Sequence, residues 1–199
     1  MSGLPSSIIL IDRNKHLVTA WQECFAEHDE VEAVQGDFFA RPADAMVSPA
    51  NSFGIMDGGL DRAIRDRLGH GVEKRVRDRI RDAHHGELPI GWAEIVETQH
   101  AEWPYLICAP TMRFPEKIDW TVNAYLAFRA ILLAIKRFNA EEKRIDSIVC
   151  PGLGTGVGAM SDRKCALQMR LAYRQVLGPP VAGRFESIHA FHKALLNGF

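Results

Sequence analysis

Short apolar runs alternate with amphipathic stretches along most of the chain. Runs of four to about nine residues rich in Ile, Val and aromatic side chains are too short for buried helices and predict strands. They lie at 8–11, 31–34, 45–48, 90–98, 105–109, 147–150 and 185–191. Apolar residues at three- and four-residue spacing predict helices between them, over 14–27, 60–68, 72–83, 119–138 and 162–177. Asp119 is the expected N-cap of the longest helix.

This alternation of strands and helices predicts an α/β fold. Strands that alternate with helices form a sheet covered on both faces, a three-layer α/β/α sandwich. We expect the sheet to be mixed and largely parallel, with an antiparallel contribution from the neighbouring strands within 90–109. Neither a repeat nor a long linker interrupts the pattern, so we expect one domain over residues 1–199.

Composition and charge narrow the function classes. The 199 residues are 47% hydrophobic and 25% charged, with a formal net charge of −1, so the chain has no overall basic signature for nucleic acid. The arginine-rich stretch 62–81 also carries acidic residues at helical spacing, which is typical of a solvated helix face. The four cysteines of the chain form no CxxC pair, and neither a membrane span nor a secretory leader is evident. We therefore expect a cytoplasmic protein with reduced thiols.

A first glycine loop carries the strongest functional signal. It follows the strand 45–48 and delivers Gly58-Gly59 to the start of a helix. Backbone amides at a helix N-terminus attract phosphate, and glycines let the phosphate approach closely. Asn51 and Asp61 lie on either side of this loop. The sequence therefore predicts a pocket for a nucleotide-type ligand.

A second glycine loop, 152–158, also follows a strand and precedes a helix. Gly154, Gly156 and Ala159 satisfy the GxGxxG/A pattern of dinucleotide-binding folds. That pattern belongs in a leading βαβ unit with an acidic residue about 20 positions later, and here it lies late in the chain. A tight strand-to-helix turn is the other interpretation, although so many glycines cost backbone entropy that a plain turn would not require.

Each polar residue at these loops also has a simple structural interpretation. Asn51 is in the right place for a turn residue, Asp61 for a helix-start carboxylate, and Asp37 for an Asx turn. Beside a phosphate site, the Asn51 amide could hold sugar hydroxyls and Asp61 could orient or deprotonate a water. Phe53 and Phe191 are candidates for stacking on an adenine, but such residues more often lie in the core.

Other chemistries lack their motifs. No histidine and cysteine cluster has metal-ligand spacing, and no GxSxG or P-loop string is present. We therefore expect neither a metal nor a cofactor, and no serine nucleophile.

Taken together, these motifs resemble those of the macrodomain family of ADP-ribose-binding modules. The resemblance runs from about Gly36 to the helix that ends near Leu177. Four segments carry it: Gly36-Asp37-Phe38, Ser48-Pro49-Ala50-Asn51, Gly58-Gly59-Leu60-Asp61 and Gly154-Thr155-Gly156-Val157-Gly158.

The resemblance implies a role for each segment. Asp37, with Phe38 beside it, would read the adenine N6 amine, and Asn51 after Ala50 would bind the distal ribose. The amides of Gly58, Gly59 and Leu60 would contact the diphosphate and distal ribose, while the loop of Gly154, Thr155, Gly156, Val157 and Gly158 would wrap the diphosphate. As in hydrolytic members, Asp61 would help to activate water, with Asp57 as its substitute.

Departures from the family pattern shape the expected function. Ser48 replaces an asparagine, Asp57 stands where a third glycine is common, and Gly158 replaces an aromatic residue, as in divergent and phage-associated members. The resemblance implies a hydrolase that removes mono-ADP-ribose from acidic side chains or deacetylates O-acetyl-ADP-ribose. A non-catalytic ADP-ribose reader is the alternative, and an NAD-dependent oxidoreductase is the third. The expected partner is ADP-ribose or an ADP-ribosylated protein.

Overall fold

A computed structural model describes residues 3–141, 144–180 and 183–197. The strands are β1 (Ser7–Asp12), β2 (Val31–Gln35), β3 (Ala45–Ser48), β4 (Glu94–Glu97), β5 (Tyr105–Cys108) and β6 (Ser147–Cys150). The helices are α1 (Lys15–Cys24), α2 (Gly59–Leu68), α3 (Gly71–His84), α4 (Asn123–Asn139), α5 (Asp162–Leu177) and α6 (Phe185–Asn197), and a 3₁₀ turn covers Phe38–Ala40.

The strands form one mixed sheet in the order β2-β1-β6-β3-β5-β4. All neighbouring strands are parallel except β4 and β5, which pair antiparallel. This confirms the expectation of a largely parallel sheet with one antiparallel pair within 90–109. The chain runs from β1 to β2 on one side and then crosses to β3 on the other. In such sheets a crevice opens at this crossing, beyond the carboxyl ends of the strands.

Apolar side chains cover both faces of the sheet. In β1, Ile8 and Leu10 join a core shared with α1, α4 and α5, while Ile9 and Ile11 join a core shared with α2 and α3. A strand buried on both faces needs a continuous apolar run rather than an alternating one, which is what the sequence has at 8–11. The predicted three-layer α/β/α sandwich is confirmed.

The predicted strand at 185–191 is wrong, because this segment belongs to helix α6. Helix α6 packs Phe191 and Leu195 against Leu167 and Leu171 of α5. Apolar residues four apart suit a helix that lies on another helix.

Two elements begin four residues later than predicted. Helix α4 starts at Asn123 with Val122 as N-cap, not at Asp119. A turn precedes this helix, in which the Thr121 amide donates to the Ile118 carbonyl at 3.0 Å. The turn occupies the residues where the first turn of the helix was expected. The strand predicted over 90–98 is shorter, because the Trp92 amide closes a turn on the Pro89 carbonyl at 3.0 Å.

Candidate functional site

A cleft of about 490 Å³ lies at the carboxyl edge of the parallel strands. Both glycine loops line it, so the two turns around residues 58 and 156 face the same space. The predicted residues on its wall are Ala50, Asn51, Asp57, Gly58, Gly59, Leu60, Asp61, Gly154, Thr155, Gly156, Val157 and Gly158. Segments far apart in sequence meet here because parallel strands all end at one edge of the sheet.

A second cavity of about 340 Å³ lies beside the cleft and holds the remaining predicted residues, Asp37 and Phe38. Among the described residues, Asp12, Leu60 and Pro151 line both spaces. The site therefore consists of two lobes that share a wall. We call them the glycine lobe and the Asp37 lobe.

Helix α2 presents its N-terminus to the glycine lobe. Gly58 is its N-cap and makes no side-chain capping hydrogen bond, and Gly59 has φ +54°. A Cβ added at either glycine would meet no atom within 4 Å, so the space in front of these amides is open. Uncapped N–H groups and the positive end of the helix dipole make this a favourable position for an anion.

The second glycine loop is tightly built on the loop before α4. The Ile118 amide donates to the Gly158 carbonyl at 2.8 Å, and Met160 donates to Gly154 at 3.0 Å. A Cβ at Gly158 would lie 2.5 Å from the Gly154 carbonyl oxygen, whereas one at Gly156 would meet nothing within 4 Å. Gly158 is thus required by packing, and Gly156 lies in open space on the wall of the cleft.

Asp61 is the most perturbed carboxyl group of the site. Burial raises its pKa to about 6, and the nearby charge of Asp57 raises it as well. Ser48 opposes them, since its hydroxyl donates to Asp61 Oδ1 at 2.6 Å and favours the ionised form. Gly58 and not Asp61 is the N-cap of α2, but Asp61 lies in the first turn, so its simple alternative as a helix-start carboxylate also holds. Ser48, a departure from the family pattern, therefore has a defined partner in the site.

Asn51 lines the cleft, but its side chain also shapes the following loop. Its Oδ1 accepts from the amides of Phe53 at 3.1 Å and Ile55 at 3.3 Å, and its Nδ2 donates to the Ile55 carbonyl at 2.8 Å. The turn interpretation of Asn51 therefore holds in this structure. Its position on the cleft wall is compatible with a second role.

Asp37 forms the Asx turn that was the alternative interpretation of this residue. One carboxylate oxygen accepts from the Phe39 amide at 2.9 Å, and the other accepts from the Arg13 guanidinium. The Phe39 amide, with Arg13 beside it, holds the pKa of Asp37 below its usual value. An ionised carboxylate thus stands at the mouth of the Asp37 lobe, where it can accept further hydrogen bonds.

Residues outside the sequence prediction complete the walls. Asp12, Gly152, Thr111, Met112 and Pro115 line the glycine lobe, and Arg13 lines the Asp37 lobe. The rule that ligands lie beyond the carboxyl ends of parallel strands would have indicated Asp12, the last residue of β1. The loop 111–115 has no motif of its own.

Neither candidate for adenine stacking lines these two lobes. The Phe53 ring lies 5.2 Å from the Arg113 guanidinium, and the Phe191 ring packs 5.6 Å from Tyr125 on the outer helices. Phe38 and Phe39 are the aromatic residues on the wall of the Asp37 lobe.

Comparison with known sequences decides the family. The sequence model described as Macro domain matches residues 47–169, more than half of the chain. The chain belongs to the macrodomain family. A protein of Aeropyrum pernix, described as uncharacterised, is 34% identical over 151 residues, which cover 75% of this chain and 74% of the relative. A macro domain-containing protein of Cupriavidus necator is 28% identical over 151 residues, 75% of this chain and 83% of that one.

Solved structures agree on the macrodomain fold. The macrodomain of Mycobacterium tuberculosis DarG has a TM-score of 0.57 at 22% identity and covers 71% of this chain and 88% of its own. Thermosipho africanus DarTG in complex with ADP-ribose has a TM-score of 0.56 at 19% identity, covering 82% of this macrodomain and 45% of that chain. A mutant of the Oceanobacillus iheyensis macrodomain with ADPR has a TM-score of 0.56 at 18% identity, covering 69% and 74%. The Gly154-Gly156-Ala159 pattern thus lies in a macrodomain and not in a leading dinucleotide-binding unit.

Two further observations concern the rest of the macrodomain. Cys24, Cys108, Cys150 and Cys165 carry free thiols, and burial raises the pKa of the last three well above that of an exposed thiol. Within the described ranges, no helix is both long and apolar enough to cross a membrane.

Proposed function

We propose that this macrodomain binds ADP-ribose and hydrolyses ester-linked mono-ADP-ribose. The observation that carries the proposal is the pair of glycine loops on one cleft, which shares lining residues with a lobe that Asp37 also lines. A base in the Asp37 lobe, a diphosphate between the loops and a second sugar near Asn51 and Asp61 would fill the two lobes in the order of the ligand's own parts. Solved macrodomains of the same fold are described with ADP-ribose.

Backbone amides supply most of the proposed binding energy. The diphosphate would accept from the uncapped amides at the start of α2 and from the second loop, where Gly154, Thr155 and Gly156 lie. Such donors are already oriented, so they need little reorganisation when the ligand arrives, and each is worth a few kcal/mol in a transition state. This binding would fix the distal ribose over Asp61.

For hydrolysis, Asp61 is the proposed general base. A water would attack C1″ of the distal ribose while the Asp61 carboxylate takes one of its protons. A bond forms between C1″ and the water oxygen, and the bond between C1″ and the ester oxygen breaks. The carrier leaves as a carboxylate and takes up the proton from Asp61, so the products are ADP-ribose and the free carboxylic acid. A base with a pKa near the working pH is efficient in such a step. Asp57, on the same cleft, is the proposed substitute.

The test of catalysis is release of ADP-ribose from a peptide mono-ADP-ribosylated on aspartate or glutamate. We expect release by the wild type and a loss of at least about 100-fold in Asp61→Asn, the usual range for a general base. Asp29→Asn is the matched control, since Asp29 lies before β2 and lines neither lobe. Equal release by the wild type and Asp61→Asn would reject Asp61 as the base.

A non-catalytic reader is the second candidate, and one observation favours it. The Asn51 amide is held by Phe53 and Ile55, so in this conformation it is not wholly available to position a ribose hydroxyl. Saturable binding of ADP-ribose without release from any ester substrate would support this candidate.

The remaining assignments concern location and partners. We propose a cytoplasmic protein whose partner is an ADP-ribosylated protein, since its thiols are free and family members named above are described with ADP-ribose. An NAD-dependent oxidoreductase would instead bind NAD⁺ at least as tightly as ADP-ribose, which parallel calorimetric titrations distinguish.

A further inference from the structure

Asp12 occupies the wall between the two lobes, where no family motif places a residue. It ends β1 and lines both the glycine lobe and the Asp37 lobe. The other described residues shared by the two lobes are Leu60 and Pro151, whose side chains are apolar. Asp12 therefore brings the polar side chain to this junction.

One oxygen of the Asp12 carboxylate has a backbone partner. Its Oδ1 accepts from the Asn14 amide at 2.8 Å. Its Oδ2 lies next to Gly152, where an added Cβ would stand 2.4 Å from Thr155 Oγ1, 2.7 Å from a methyl group of Leu17 and 3.2 Å from the Asp12 oxygen. The close approach of Thr155 and Leu17 favours a glycine here, and this glycine also leaves space beside Oδ2. The carboxylate is an acceptor only, with lone pairs to spare on both oxygens.

We propose that Asp12 recognises the 2′ and 3′ hydroxyls of the adenine-linked ribose and excludes ligands that carry a phosphate there. This inference rests on the proposed function, since it takes the base to lie in the Asp37 lobe and the diphosphate in the glycine lobe. The sugar that joins them must then pass the shared wall. A vicinal diol offers two O–H donors to a carboxylate, which is the chemistry by which an acidic residue selects an unphosphorylated ribose in other nucleotide sites.

The charge of the Asp37 lobe supports the exclusion of a phosphate. Its described ionisable residues are Asp12, Arg13 and Asp37, with a formal sum of −1. Arg13 is the cation that a 2′-phosphate would need, but its guanidinium is paired with the Asp37 carboxylate. A dianionic phosphate beside Asp12 would therefore meet like charge, and like charges at a binding surface oppose association strongly.

Calorimetric titration of the wild type with ADP-ribose, 2′-deoxy-ADP-ribose and 2′-phospho-ADP-ribose tests the proposal. We expect the deoxy ligand to bind about three- to tenfold more weakly than ADP-ribose, as for one lost hydrogen bond. The 2′-phosphate should weaken binding by at least about tenfold. Equal affinities for ADP-ribose and the deoxy ligand, or tighter binding of the phosphorylated one, would overturn the proposal.

The Asp12→Asn variant locates the effect. Its amide oxygen can still accept from Asn14, so we expect the fold to persist, checked by its Tm. ADP-ribose should bind about three- to tenfold more weakly, and the penalty for the 2′-phosphate should shrink at least about fivefold, while Asp29→Asn changes neither. If the 2′-phosphate weakens binding to Asp12→Asn as much as it weakens binding to the wild type, the role of Asp12 is rejected while the proposed function stands. Absence of ADP-ribose binding to the wild type would reject the proposed function and this inference with it.

Discussion

Ser48 Oγ donates a hydrogen bond to Asp61 Oδ1 at 2.6 Å across the carboxyl edge of the sheet. Ser48 is the last residue of β3, and Asp61 lies in the first turn of α2, so the bond joins the two elements that bracket the first glycine loop. Burial raises the pKa of Asp61 to about 6, and this bond works against that rise. The pair thus sets the pH range in which the Asp61 carboxylate is ionised.

Removal of the Ser48 hydroxyl should raise the pKa of Asp61 further. In Ser48→Ala the ionised carboxylate loses its donor while burial and the charge of Asp57 remain. We expect the Asp61 titration, followed by carboxyl carbon NMR, to move upward by about 1 to 2 units, as for the loss of one charge-assisted hydrogen bond. Any ester hydrolysis should shift its lower pH limb in the same direction. Ser52→Ala is the control, because Ser52 is also buried but does not bond Asp61. A downward shift in Ser48→Ala would contradict the assignment.

Ionisation of Asp61 should cost folding stability as the pH rises. Its pKa is about 6 in the folded protein and about 3.8 in the unfolded chain, so its contribution is fully present below pH 4 and is lost as the pH rises through 6. Relative to Asp61→Asn, the wild type should lose up to about 3 kcal/mol of unfolding free energy between pH 4 and pH 8. Urea unfolding of both proteins across this range measures the difference. A wild type that gains stability relative to the variant over the same interval would show that the pKa of Asp61 is lowered instead.

Two glycines of the second loop should respond differently to substitution, because Gly158 is closely packed and Gly156 faces open space. In Gly158→Ala the new methyl would press on the Gly154 carbonyl and on Ile118, so we expect a loss of about 1 to 3 kcal/mol and a Tm lower by roughly 2–10 °C. In Gly156→Ala the methyl enters open space on the cleft wall, so the Tm should stay nearly constant while ADP-ribose binds more weakly. Thermal melting and calorimetry measure the pair. A Gly156→Ala protein that melts as low as Gly158→Ala would disprove the distinction.

Gln168 should govern the docking of the outer helices. Its buried amide donates to the Thr121 carbonyl at 2.8 Å and the Leu195 carbonyl at 3.1 Å, and its Oε1 accepts from the Tyr125 amide at 3.1 Å. Gln168→Leu leaves these three backbone groups without their partner, which we expect to cost about 2 to 4 kcal/mol. Hydrogen exchange should rise first in α6. Gln22→Leu, at an exposed position, serves as control, and unchanged α6 protection in Gln168→Leu would contradict this role.

The sequence predicted the central layers well because local pattern and tertiary environment agree there. Strands β3 and β6 and helix α5 have the predicted bounds, since each apolar run is both locally favourable and buried in the sheet or against it. The predicted site residues line the two lobes for a related reason, as parallel strands end at a common edge. The single domain over residues 1–199 and the role of each site residue stay predictions.

The failures arise where tertiary context decides. Residues 185–191 have the apolar content of a strand, but they lie in a helix that packs on α5, a tertiary contact that local pattern does not encode. Asp12 was missed because no motif marks it, and its place beside both lobes comes from the position of β1 next to β6. The Ser48–Asp61 bond was also beyond local reasoning, since it depends on how α2 approaches the end of β3.

Calorimetric titration of the wild-type protein with ADP-ribose, with NAD⁺ in parallel, tests the central claim most directly. If both glycine loops hold one diphosphate, ADP-ribose should bind saturably with one site per chain and more tightly than NAD⁺. A protein that takes up no ADP-ribose at millimolar concentration, or that prefers NAD⁺, would contradict the account.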